Sequence, residues 1–201
     1  MKHVYAIAVV CTFGLLVSVA PARADGFVSP TVGVDFGGNA GSTLRGAVNN
    51  SNKLNVGAAV GWMSAGVFGL EEDFSWSPNF FGSGGTVIDK TRVITLMTNA
   101  IAGIPVGGQS GGGVRPYVGV GVGLIQQHVS TPSGAGEVSE NDFGFNVGAG
   151  IMGYFADHIG LRGDVRYFRG FRGTSTSENA TGLGLSNFNF WRASVGVSFK
   201  F

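Results

Sequence analysis

The sequence predicts an all-β chain, eight antiparallel strands closed into a barrel that crosses a membrane, and three observations predict it. First, the last eleven residues place Trp191, Ala193, Val195, Val197, Phe199 and Phe201 on one face and Arg192, Ser194, Gly196, Ser198 and Lys200 on the other. This strict period of two makes a strand that is apolar on one side and polar or small on the other. Second, Lys2 and His3 precede an apolar run from Val4 to Val19, and Ala22-Arg23-Ala24 follows with small residues. That order is a secretory signal peptide, with cleavage expected between Ala24 and Asp25. The run is short for a bilayer-spanning helix, and Pro21 closes it. Third, 36 glycines without a collagen-like period argue against a helical or α/β protein. After Ala24 no apolar run approaches the ~20 residues a spanning helix needs. A mature chain that enters a membrane must then do so as a closed barrel, which satisfies its own backbone groups.

The domain plan is therefore a signal peptide over 1–24 and one barrel domain over 25–201. Cleavage leaves 177 residues, a natural length for one domain. It removes Lys2 and Arg23, so Lys plus Arg falls from 13 to 11 against 12 Asp plus Glu. A balance this close to neutral gives no reason to expect a nucleic-acid partner. The single cysteine, Cys11, leaves with the leader and is too far from the cleavage site to accept a lipid. The mature chain is expected to carry no disulfide and no cysteine metal site.

Eight segments carry the alternation. In the first, Pro30, Val32, Val34 and Phe36 face outward and Gly33, Asp35 and Gly37 inward. The second sets Leu54, Val56, Ala58, Val60 and Trp62 against Asn55, Gly57, Ala59 and Gly61. The third sets Phe68, Leu70, Phe74 and Trp76 against Glu71, Asp73 and Ser75. The fourth, near 92–104, is the least regular, with Ile94, Leu96, Ala100 and Ile104 outward. In the fifth, Val118, Val120, Val122 and Leu124 oppose Tyr117, Gly119, Gly121 and Gly123. The sixth sets Phe143, Phe145, Val147, Ala149 and Ile151 against Gly144, Asn146, Gly148 and Gly150. The seventh sets Leu161, Val165 and Tyr167 against Arg162, Asp164 and Arg166, and the eighth is the terminal strand. Lengths near ten residues suit tilted membrane strands, and an even count brings both ends of the barrel to one side.

The connectors alternate in character. Residues 38–53, 77–91, 127–141 and 172–187 are long and rich in Gly, Ser, Thr and Asn, whereas Met63–Val67 and Phe155–His158 are tight turns and Gly103–Val114 is a longer Gly-rich exception. Short periplasmic turns and long extracellular loops are the pattern of an outer-membrane barrel. A soluble sandwich or lipocalin-like barrel also has regular short strands, but it hides its apolar face or turns it into the lumen. Here the apolar side chains look too large and numerous for a small lumen, and the opposite face is Gly-rich and charged.

That inner face holds the candidate site. Asp35, Glu71, Asp73 and Asp164 can meet Arg115, Arg162, Arg166 and Arg192 inside the barrel. An eight-stranded lumen is only wide enough for side chains to fill, so charges there must be paired. The expectation is a salt-bridge plug, with a gated proton or ion path as the alternative. Inward glycines at 119, 121, 123, 144, 148 and 150 leave space for long side chains or water.

Three segments carry a family resemblance. Arg115-Pro116-Tyr117-Val118-Gly119-Val120-Gly121-Val122-Gly123 resembles the fifth strand of the small eight-stranded outer-membrane barrels grouped with opacity proteins and OmpA-like domains. Gly148-Ala149-Gly150-Ile151-Met152-Gly153-Tyr154-Phe155 and Leu161-Arg162-Gly163-Asp164-Val165-Arg166-Tyr167 are similar to the strands that follow it. The likeness covers essentially all of 26–201, in motifs that mostly encode alternation. It implies an outer-membrane location, contact with lipid and lipopolysaccharide, roles in adhesion, surface protection or membrane integrity, a monomer, and no catalytic residue or cofactor. It also implies that Phe199 and Phe201 belong to the signal read by the barrel-insertion machinery. Ending at Phe201, the chain is expected to lack a periplasmic peptidoglycan-binding domain.

Other signals are weaker. Gly148-x-Gly150-x-x-Gly153 fits a dinucleotide fingerprint, but that motif works only at a strand-to-helix turn, and here it lies within a strand. His128 and His158 fall in a loop and a turn at opposite ends of the barrel, so no metal pair, catalytic pair or enzyme activity is expected. The sequon Asn179-Ala180-Thr181 means little in a bacterial chain. Glu72 does not fit: alternation points it toward lipid between Leu70 and Phe74, so either a bulge shifts the register or it lies near an interface. Two function classes follow: a scaffold whose loops meet a surface ligand, and a narrow channel for ions or small apolar solutes.

Overall fold

A computed structural model describes residues 24–39, 53–64, 67–78, 80, 90–107, 113–130, 137–171 and 188–201. The described residues form eight strands: β1 (Ala24–Asn39), β2 (Lys53–Ser64), β3 (Phe68–Pro78), β4 (Lys90–Gly103), β5 (Gly113–Ser130), β6 (Glu137–Tyr154), β7 (Ile159–Gly170) and β8 (Asn189–Lys200). Each strand pairs antiparallel with the next, and β1 pairs with β8, so the sheet closes. Closure leaves no unpaired edge. The leader, the sequon and most of the residues expected as long loops lie outside the described residues.

The period of two becomes an inside and an outside. Val32, Leu54, Phe74, Val118, Val147, Leu161 and Val195 are exposed on the outer face. Glu71, Asn99, Asn146, Arg162 and Arg166 are buried on the inner one. A soluble barrel would reverse this arrangement. Strand β4 looked irregular because it is apolar on both faces. Leu96 and Ala100 face outward as expected, while Val93, Met97 and Ile101 are fully buried inward.

The expectation that large apolar side chains would stay out of the lumen is corrected. Phe27, Met63, Ile101, Tyr117, Met152 and Tyr154 pack together near the turn end. Phe80, Phe168, Phe188 and Phe190 are buried near the loop end. The 127–141 connector is corrected too. Gln127 to Ser130 and Glu137 to Glu140 continue the β5–β6 ladder, so His128 lies on a strand rather than in a loop. Alternation missed them because Gln126, Gln127, His128, Asn141 and Asp142 are polar on both faces. A strand extending beyond the apolar zone has no apolar side to display.

One irregularity marks the seam. Phe36 pairs with Trp191 and Asn39 with Asn189, so two residues of β1 oppose one of β8. Gly37 adopts a φ of 63° there, the left-handed conformation such bulges require.

Candidate functional site: a charged layer inside the barrel

Strand β7 supplies three charges to one face because Arg162, Asp164 and Arg166 are spaced by two. Across the lumen, β3 contributes Glu71, which is completely buried. Arg162 Nη1 and Arg166 Nη2 each donate to a Glu71 carboxylate oxygen at 2.6 Å. The two Nε atoms turn back to Asp164, at 2.9 Å from Arg162 and 3.3 Å from Arg166. The four groups form a cycle of alternating charge. Tyr117 (3.1 Å) and Ser194 (3.0 Å) donate hydroxyls to Asp164. Asn99 donates to Glu71 at 3.3 Å, and Asn146 donates to Asn99 at 2.7 Å. Buried ions cost several kcal/mol each to desolvate, and only such pairing with further hydrogen bonds offsets that.

A second pair lies nearer the loop end. Arg192 grips Asp35 with Nε at 2.7 Å and Nη2 at 3.3 Å, a bidentate contact between register partners on β8 and β1. Asn55 donates to the same carboxylate at 3.0 Å, and Ser77 donates to its other oxygen. Arg192 also reaches Thr95 at 3.1 Å, and its guanidinium lies 4.7 Å from the Phe168 ring centre and 5.3 Å from that of Phe190. Those two rings stack at 4.8 Å, and Phe80 packs edge-on to Phe188 and Phe190. The charged layer therefore abuts an aromatic lid at one end and the Phe27–Met63–Ile101–Met152 floor at the other.

Glycines make the room. A Cβ at Gly121 would collide with the Asn99 amide, one at Gly148 with Arg166 Cγ, and one at Gly150 with the Tyr117 hydroxyl.

Six of the eight residues expected in the cluster lie in these two groups: Glu71, Arg162, Asp164 and Arg166 in one, Asp35 and Arg192 in the other. The remaining two do not. Asp73 points inward but makes no ion pair, and its Oδ1 has no hydrogen-bond partner among the described residues. Arg115 sits at the turn-end mouth, 3.4 Å from Asp25, with Lys200 3.9 Å from the same carboxylate. Alternation gives the face of a residue but not its height, and height separates Arg115 from the layer. The neutral partners Asn99, Asn146, Ser194, Asn55 and Thr95 were missed as participants, although each has the inward parity that could have found them. Among the described residues no group of acids, histidines or cysteines could hold a metal ion.

Glu72 is also resolved. The β2–β3 and β3–β4 registers run unbroken through it, opposite Val60 and Thr98, so no bulge turns it inward. It stands on the outer face in mid-strand, accepting a hydrogen bond of 2.7 Å from Thr98.

A sequence profile for an outer membrane protein β-barrel domain matches residues 9–201. No curated protein matches the chain. Among solved structures, Neisserial surface protein A is similar with a TM-score of 0.63 at 15% identity, covering 89% of this chain and 99% of that one. OprG from Pseudomonas aeruginosa follows at 0.60 and 15%, covering 89% and 96%. Ail of Yersinia pestis, solved with the heparin analogue sucrose octasulfate, gives 0.57 at 12%, covering 89% and 99%. At these identities the likeness is one of fold.

Proposed function

Because the chain belongs to the outer membrane protein β-barrel family, a family of non-enzymatic barrels in the bacterial outer membrane, we propose that it is a closed scaffold that holds extracellular loops at the cell surface. One observation carries this reading. The Glu71–Arg162–Asp164–Arg166 cycle fills the middle of the lumen, and apolar side chains cover it toward both ends. A path for ions would have to break buried pairs and displace buried rings.

The loops near 38–53, 77–91 and 172–187 and the tip of the β5–β6 hairpin are the parts offered to a surface ligand, with lipopolysaccharide around the wall. Residues 1–24 act as the leader. Asp25, the first residue after the expected cleavage, is ion-paired with Arg115, which supports a barrel that begins about where the leader ends. Phe199 and Phe201, both exposed on the outer face, serve the insertion machinery.

Planar-bilayer recording tests the closed scaffold. Purified barrel should give no steady conductance. Steady conductance in the wild type would replace this reading with the narrow channel. Comparing the binding of cells with and without the protein to host surfaces then tests the role of the loops.

A further inference from the structure

We propose that the outer wall at Glu72 and Thr98 is a contact between two copies of this chain in the membrane. Glu72 is four residues from Phe68 at the turn end and four from Trp76 toward the loops. At about 3.3 Å per residue and a tilt near 40°, each distance is roughly 10 Å along the membrane normal. In an apolar band about 25 Å tall, Glu72 lies near the midplane.

A carboxyl at that depth is expensive unless it meets another polar group, and ionisable residues there mark functional contacts. Within the chain it meets one. Thr98 donates to Oε1, while Oε2 has no hydrogen-bond partner among the described residues. The outer-face neighbours on the flanking strands, Val60, Ala58 and Trp62 on β2 and Leu96 and Ala100 on β4, carry no charge. The charges of Glu71 and Asp73 face the lumen.

The shape of the surface favours a second copy as the occupant. Glu72 is held against the wall, only 8% exposed, beside the exposed small side chains of Ala58 and Ala100. The result is a shallow polar spot that another wall can approach closely, as small residues allow between membrane segments. Glu72 and Thr98 are register partners on adjacent strands, so they lie at nearly one depth. Two copies inserted in the same direction are related by a two-fold axis along the membrane normal. An axis passing between the two residues brings Glu72 of each copy to Thr98 of the other. The patch is self-complementary in depth and in polarity, which an arbitrary partner would have to reproduce. This contact departs from the monomer expected from the family resemblance.

Cysteine cross-linking tests it, because the only native cysteine, Cys11, lies in the leader. Ala100→Cys, next to Thr98 on the same face, is oxidised in outer membranes and compared with Val195→Cys on β8. The expected result is a product of twice the mass from Ala100→Cys and not from Val195→Cys. Glu72→Leu should reduce it by about five- to thirtyfold, the range of one polar contact between membrane segments. Glu72→Gln, which keeps a polar group of nearly the same shape that can still accept from Thr98, should retain it. Val122→Cys, beside Thr98 on β5, serves as a second reporter if Ala100→Cys does not assemble, and a shift in gel mobility on heating verifies each fold. The proposal is overturned by equal cross-linking at Ala100 and Val195, by no product, by a product of another mass only, or by a dimer that persists undiminished in Glu72→Leu.

Discussion

Gly26 and Phe201 close the barrel against each other. Each backbone N–H donates to the other's carbonyl at 3.0 Å, and the Phe201 ring lies so close that a Cβ on Gly26 would sit 2.6 Å from Cε2. The ring itself is 76% exposed on the outer face, so it contributes little burial.

Deleting Phe201 should therefore affect assembly more than final stability. The deletion removes two backbone hydrogen bonds, worth about 1 kcal/mol each, and the exposed ring offered to the insertion machinery. Refolded protein in detergent should lose about 2 kcal/mol or less, while the amount of barrel in outer membranes falls sharply and periplasmic aggregate rises. Normal membrane levels would remove Phe201 from the assembly signal. Gly26→Leu, which forces the ring away without deleting it, should show the same imbalance.

Barrel closure also predicts behaviour in detergent. Every strand has two hydrogen-bonded neighbours, and the outer face already suits an apolar solvent. Unheated protein extracted from membranes should resist SDS and migrate differently from boiled protein. Identical mobility in both states would contradict a closed membrane barrel.

Two adjacent inward acids on β3 should behave differently. Glu71 is held by two arginines, so Glu71→Ala leaves both guanidinium groups short of a partner, at a cost of about 3–5 kcal/mol for a fully desolvated pair. Among the described residues Asp73 makes no ion pair and leaves Oδ1 without a partner, so the nearly isosteric Asp73→Asn loses no pair among them and should change stability far less. Urea unfolding in detergent or lipid compares the two. Equal losses would show that the acids share one network.

How far the sequence discloses this arrangement depends on what alternation encodes. It gives parity, and parity placed Glu71, Arg162, Asp164 and Arg166 inside and Phe74, Val120 and Val195 outside. It does not give height along the axis, which the stagger of a closed sheet sets, so Arg115 could not be separated from the layer. Nor does it give pairing, so Asp73 looked equivalent to Glu71. The ends of β5 and β6 were illegible for another reason: with water on the outside, nothing forces their side chains to alternate. The aromatic lid was half legible, since Phe168 and Phe190 share parity with Arg166 and Arg192, whereas Phe80 lies outside any strand.

Glycines on the two faces of the wall should respond with opposite sign. A Cβ on inward Gly148 would lie 2.5 Å from the Val165 carbonyl oxygen and 2.6 Å from Arg166 Cγ. Gly148→Ala must push Arg166 from its place beside Glu71 or distort the β6–β7 ladder. Overpacking of this kind costs about 1–3 kcal/mol, and loss of the 2.6 Å contact between Arg166 and Glu71 would add to it. Outward Gly163 on β7 does not have a left-handed φ, and the nearest atom to an added Cβ is the Ser194 carbonyl oxygen at 3.9 Å. Gly163→Ala fits without strain and narrows the unfolded ensemble, so it should stabilise by about 0.4–1 kcal/mol. Unfolding midpoints at unchanged denaturant slope give both values. Stabilisation by Gly148→Ala would mean that Arg166 is free to move, and the lumen would then not be the filled, paired interior that the closed-scaffold function requires.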